Sequence, residues 1–269
     1  MYWTGFRKVY SLLGLFAVVT ISSCSSDDKN LPTVEKTPED QLTEEQWIVR
    51  KIESELNIPA TEKYGIEIIY KHINPDTLMD ALILVNRKEH ALNHVKNNGT
   101  EAFFERTGQT GGYNYVFVKL GGAKDVISTT PVGSNINYSL KAEFLELTSK
   151  AFTDFYVDYR IKNSLQRNYY TLRDNNLHLT FSCPIFDGIG DPKPVVYDIR
   201  YLDSPVRMTK DIALFHARLK DYKVNEIEDV NHYEAKGIES TEDLYVYFIF
   251  DEKTMKYKSP MKAPEVEEE

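Results

Sequence analysis

Only two of the 269 residues are cysteine, Cys24 and Cys183. Two thiols close at most one disulfide, so a small cystine-stapled scaffold is excluded and stability must come from a buried core. The chain also lacks a Cys-x-x-Cys pair, a Gly-x-Ser-x-Gly nucleophile elbow and a Gly-x-x-x-x-Gly-Lys-Ser/Thr phosphate loop. The commonest hydrolase and nucleotide-enzyme signatures are therefore missing. Positive charge is scarce. Lys and Arg number 32 against 41 Asp and Glu, a formal charge of −9. That balance argues against nucleic acid as a partner and against adhesion to anionic lipid by charge. No apolar run reaches the about 20 residues that span a bilayer, and no internal repeat is evident.

What is present begins at the N-terminus. Arg7 and Lys8 precede an uncharged stretch over 9–21, followed by Ser22-Ser23-Cys24. This order is the layout of an export signal. Ile21-Ser22-Ser23-Cys24 resembles a lipobox, and the resemblance implies cleavage before Cys24 and acylation of its thiol, with palmitate the expected type of chain. Ser25-Ser26-Asp27-Asp28-Lys29 resembles the surface-export signal of Bacteroidota-type lipoproteins, with Asp27 and Asp28 as its acidic residues. Together these resemblances imply an outer-membrane lipoprotein that faces the cell surface rather than the periplasm. Removal of 1–23, which hold Arg7, Lys8 and no acid, takes the formal charge from −9 to −11. With Cys24 acylated, Cys183 has no partner and reads as a buried, unreactive thiol.

Composition divides the remainder. Residues 24–41 are rich in Ser, Asp, Pro, Lys and Glu and too poor in apolar side chains to order themselves. As a flexible tether they reach roughly 20–25 Å. Residues 42–260 read as a single β-rich globular domain, and 261–269 as a loose acidic tail. Thr43-Glu44-Glu45-Gln46 has the form of a capping box, and Ile48, Ile52 and Leu56 follow at helical spacing, which predicts a helix over 43–57 ending before Pro59. A helical insertion is expected over 87–98, continued over 101–106. Most other segments alternate with period two. Phe155, Val157, Tyr159 and Ile161 oppose Asp154, Tyr156, Asp158 and Arg160, and similar runs at 177–182 and 195–202 predict strands with one buried face. Turn residues at 163–164 and 174–176 make 152–183 a three-strand meander. Further strands are expected near 64–72, 79–86, 113–120, 142–148, 212–223 and 243–250. The fold class expected is mainly β, an antiparallel sheet or sandwich with an N-terminal helix and a helical insertion.

Several clusters are candidate sites. Residues 72–84 resemble the Asp-rich calcium loop of FG-GAP/VCBS-type repeats, with Asn74, Asp76 and Asp80 on ligand positions. His72 stands where that loop has its first carboxylate, and Thr77 where a glycine permits the turn. The expectation is a loop that keeps the shape and holds no ion, so no metal and no cofactor are assigned. Asp76-Thr77-Leu78 also resembles the acceptor motif for O-glycans on exported Bacteroidota proteins, which makes Thr77 a modification candidate. His90 and His94 lie at i and i+4, a spacing that can hold zinc, but Ala91 occupies the place of the glutamate that zinc proteases use. Asp154, Asp158 and Asp198, with Arg160 and Arg200, fall on the strand faces expected to be wet. Asp154 and Asp158 stand about 13 Å apart along one strand, too far for a glycosidase pair without help from another strand. The 18 tyrosines serve equally as strand-packing residues or as sugar and protein platforms.

No catalytic residues are assigned. The reading that best fits is a lipid-anchored, non-catalytic binding or structural module that meets a protein partner in an envelope or surface complex. The alternatives are a carbohydrate-binding lipoprotein of a glycan uptake system and a glycan or peptide hydrolase whose acids come from separate strands.

Overall fold

The computed structural model describes residues 42–260. Helix α1 spans Glu44–Glu55. It starts where the capping box requires: Thr43 Oγ1 accepts from the Gln46 amide and Gln46 Oε1 accepts from the Thr43 amide. Ile48 and Ile52 are fully buried on the one face of α1 turned to the protein.

That face packs on a five-stranded antiparallel sheet built from β1 (Gly65–Lys71), β2 (Asp80–Asn86), β3 (Gln109–Lys119), β4 (Ile127–Ser128) and β5 (Val132–Asn135). β2 reads Asp-Ala-Leu-Ile-Leu-Val-Asn without alternation because both its faces are covered. Ala81, Ile83 and Val85 meet α1, and Leu82 and Leu84 meet a second sheet. The helical insertion between β2 and β3 forms α2 (Lys88–Asn97) and α3 (Glu101–Thr107). Gly108, at φ +63°, closes α3 in the left-handed conformation that a side chain there would strain.

The second sheet is an eight-stranded antiparallel meander: β6 (Lys141–Leu145), β7 (Asp154–Ile161), β8 (Ser164–Arg173), β9 (Asn176–Asp187), β10 (Val195–Asp203), β11 (Lys210–Leu219), β12 (Ile238–Asp251) and β13 (Lys256–Lys258). The tight turn between β8 and β9 places Asp174 and Asn175 at positive φ, the conformation a two-residue hairpin favours. The first core lies between the sheets, where Leu82, Leu84, Val116 and Val118 pack on Phe155, Val157, Tyr170 and Leu172.

The opposite face of β7–β9 is not wet. Register shifts in the β8–β9 and β11–β12 ladders mark local bends, and the sheet curls until β13 lies beside β9. The Phe181 ring sits 4.5 Å from Phe248 and 6.0 Å from Tyr257. The Lys256 ammonium donates to the Leu179 carbonyl. A second core of Tyr156, Tyr169, Cys183, Tyr197, Ile212, Leu214, Phe250 and Tyr257 fills the curl. This corrects the expectation that Asp154 and Arg160 face water: both are buried.

Candidate functional site

The sequence-derived sites resolve differently. Cys24, Asp27 and Asp28 lie outside the described residues. In the 72–84 loop the side chains bond to the loop's own backbone. Asp80, fully buried, accepts from the Ile73 amide (2.8 Å), the Asn74 amide (3.2 Å) and the Gly121 amide (2.8 Å). Asn74 Oδ1 accepts from the Asp76 amide and Asp76 Oδ1 from the Leu78 amide. These are side-chain-to-backbone turn bonds. Gly121 must be glycine, because a Cβ there would stand 2.3 Å from Leu78 Cβ. The loop is thus a brace between β1, β2 and the end of β3. Thr77 projects at its exposed tip.

His90 and His94 both rest on the Tyr113 ring, at 5.4 and 5.7 Å. His94 Nε2 is 2.7 Å from Asn98 Nδ2, and His90 Nδ1 is 3.6 Å from Glu62 Oε2. Among the described residues no three His, Cys, Asp or Glu side chains are placed to share a metal ion. Glu62 is itself held by Arg87 through two bonds of 2.7 and 2.6 Å. Hydrogen bonding from Arg87 lowers the Glu62 pKa.

The strand carboxylates are also engaged. Asp154 accepts from the Leu147 and Thr148 amides and the Thr148 hydroxyl. Asp198 and Arg200 pair at 2.7 Å on one strand. Asp158 meets Arg167 of the neighbouring strand in a fork: Nε donates to Oδ1 at 2.7 Å and Nη2 to Oδ2 at 2.8 Å. The Arg167 guanidinium lies 3.4 Å over the centre of the Tyr156 ring, and its Nη1 donates to the Tyr201 hydroxyl, which bonds that of Tyr169. Tyr156 in turn donates to Glu143. Cys183 is buried in the same layer, and burial pushes its thiol up to about 12. That thiol is a poor nucleophile at neutral pH.

Two surfaces stand apart from these closed networks. One is the β10–β11 connection, where Val206 and Met208 are 81% and 73% exposed beside a cleft of about 540 Å³. The other is a cleft of about 290 Å³ at the open end of β7. β6 begins at Lys141, opposite Asp158, so the ladder stops there and β7 runs on to Ile161. The 228–237 segment comes over this end, and Arg160 anchors it: Nη2 donates to the Val230 carbonyl at 2.7 Å and Nε to the Lys162 carbonyl at 3.2 Å. The guanidinium stacks 4.9 Å from the Phe186 ring. Tyr138, Lys141, Asp158, Arg160, Tyr233 and Glu234 supply the polar lining. Those residues come from three separated stretches of chain, so no spacing in the sequence brought them together. The only local signal was an arginine near the end of a strand.

Comparison of the chain with protein families, curated proteins and solved structures finds no match.

Proposed function

We propose that this protein is a lipid-anchored module of the outer membrane whose β domain binds a partner protein of the envelope and performs no catalysis. The observation that carries the non-catalytic reading is the engagement of the carboxylates. Asp80, Asp154, Asp158 and Asp198 are each held by protein donors that occupy their oxygens and fix their orientation. A hydrolytic pair needs one acid kept protonated and one base facing substrate. Support for the anchor comes from the order of residues in 1–28, and support for a protein partner from the exposed Val206 and Met208.

The test is recovery of a C-terminally tagged chain from detergent-solubilised envelopes. The expected result is one near-stoichiometric envelope protein, lost in the Val206→Asp/Met208→Asp variant while the melting temperature holds. A chain that purifies alone overturns the partner. Cys24→Ser should leave the outer-membrane fraction; full retention there overturns the anchor. A second reading, carbohydrate binding at the cell surface, is favoured by the tyrosine-walled cleft at the end of β7.

A further inference from the structure

Arg160 is only 5% exposed, yet no carboxylate pairs with it among the described residues. A buried charge without a directly paired counter-ion is costly; burial lowers this arginine's pKa, and the more distant Asp229 carboxylate offsets that only in part. Two of its nitrogens are used on carbonyls, while Nη1 makes no hydrogen bond to any described residue. Nor is Nη1 among the sealed, unpaired atoms of the interior, and Arg160 lines the cleft.

Three more donors there are unengaged. Among the described residues Lys141, which is exposed, has no ion pair, and the hydroxyls of Tyr138 and Tyr233 make no hydrogen bond. Burial raises both tyrosine pKa values, so both hydroxyls keep their protons at neutral pH. The acids of the lining are Asp158, which Arg167 neutralises, and Glu234, exposed and unpaired.

We propose that this cleft binds an acidic sugar residue, with its carboxylate on Arg160 Nη1 and Lys141 and its ring against Tyr138 and Tyr233. A bare anion such as phosphate would meet Glu234 as repulsion and would offer the carboxylate oxygens of the lining no donor. A hydroxylated body gives those oxygens donors. A neutral sugar leaves Arg160 with no carboxylate in direct contact, only the more distant Asp229. The volume is at the lower end for ligand pockets, so it fits one sugar ring rather than a polymer segment. The inference deepens the carbohydrate reading and depends neither on the anchor nor on a protein partner.

The test is titration calorimetry of the purified full-length protein in detergent with glucuronate, glucose and inorganic phosphate. Glucuronate should saturate in the range of about 0.1–1 mM, with glucose and phosphate at least about tenfold weaker. Lys141→Glu and Tyr233→Ala should each weaken glucuronate about tenfold or more at unchanged melting temperature. Arg160→Gln should abolish binding, but Arg160 also holds the 228–237 segment, so the other two variants decide the matter if this one unfolds. Equal binding of glucose and glucuronate would overturn the acidic ligand and leave the carbohydrate reading standing. No saturation by either sugar at about 10 mM would remove both. Unaltered affinity in Lys141→Glu and Tyr233→Ala would move the site elsewhere.

Discussion

Between the two sheets the buried layer is mostly hydrocarbon: Leu82, Leu84, Val116 and Val118 against Phe155, Val157 and Leu172, with Tyr170 adding a hydroxyl that accepts from Asn168. Inside the curl of the second sheet, buried positions carry tyrosine hydroxyls and a thiol, and the partly buried Arg167–Asp158 fork lies against them. β7 and β8 serve both layers with alternate residues. The first layer depends mainly on volume and shape, because its side chains are almost all apolar. The second depends on satisfied pairing, because each polar group there is expensive when left alone. One strand therefore carries residues whose loss would be felt in two different ways.

The sharpest way to probe that contrast is truncation in the hydrocarbon layer. Phe155 is fully buried and stacked 5.3 Å from Tyr170. Phe155→Ala should cost about 3–5 kcal/mol in urea unfolding, the range for a large cavity. On the other face, Asp158→Ala should cost about 3 kcal/mol by stranding Arg167; the pair is 16% and 15% exposed, which keeps the figure at the low end. Asp158→Leu/Arg167→Met should recover most of it, since both charges leave together. If the double variant is no more stable than Asp158→Ala, the polar layer is not governed by pairing and the contrast fails.

A smaller effect is expected where Arg87 and Glu62 tie the end of α1 to α2. Arg87 donates to Glu62 and also to the Leu56 carbonyl. The Glu62 pKa is depressed from 4.5 by those bonds. A depressed carboxylate contributes stability that is fully present above its unfolded value and lost as pH falls through its folded one. The advantage of the native chain over Glu62→Gln, about 1–3 kcal/mol at neutral pH, should therefore shrink steadily as unfolding is measured from pH 5 downward. A constant gap across that window would separate the bond from the charge.

The gentlest test concerns Cys183. With its thiol pushed up to about 12 by burial, the native chain should react with a thiol reagent at least about a hundredfold more slowly than the unfolded chain at pH 8. Equal rates would mean that the second core opens freely.

Much of this architecture was readable from local pattern. The capping box located α1 to within two residues, and period-two runs located β7 through β11. The second core was not readable. Alternation separates two faces but does not say which is wet: Asp154 is taken up by the amides of Leu147 and Thr148, and Arg160 by a segment that returns 70 residues later at Val230. β12 starts five residues earlier than its apolar pattern suggested, because Ile238, Glu239 and Ser240 join the β11 ladder without an apolar alternation to mark them. β4, β5 and β13 are too short to leave a periodic signature. The 72–84 loop misleads in an instructive way: oxygen side chains at alternate positions suit a cation, and they suit backbone amides equally well. The Arg160 cleft had no signature beyond its isolated arginine. Expectations for Cys24, Asp27, Asp28 and the acidic tail fall outside the described residues.

Every ladder of the eight-stranded sheet joins strands that are neighbours in the chain. A sheet of that kind can be laid down in the order of synthesis, each strand finding its partner already present. The seam alone is different. Leu179 and Lys256 meet across 77 residues, so the aromatic interior stays open until the last strand arrives. The final few residues of the domain act as its clasp. A chain that ends before residue 256 would retain nearly all of its ladders and still present an unsealed row of phenylalanine and tyrosine to proteases and to other copies of itself.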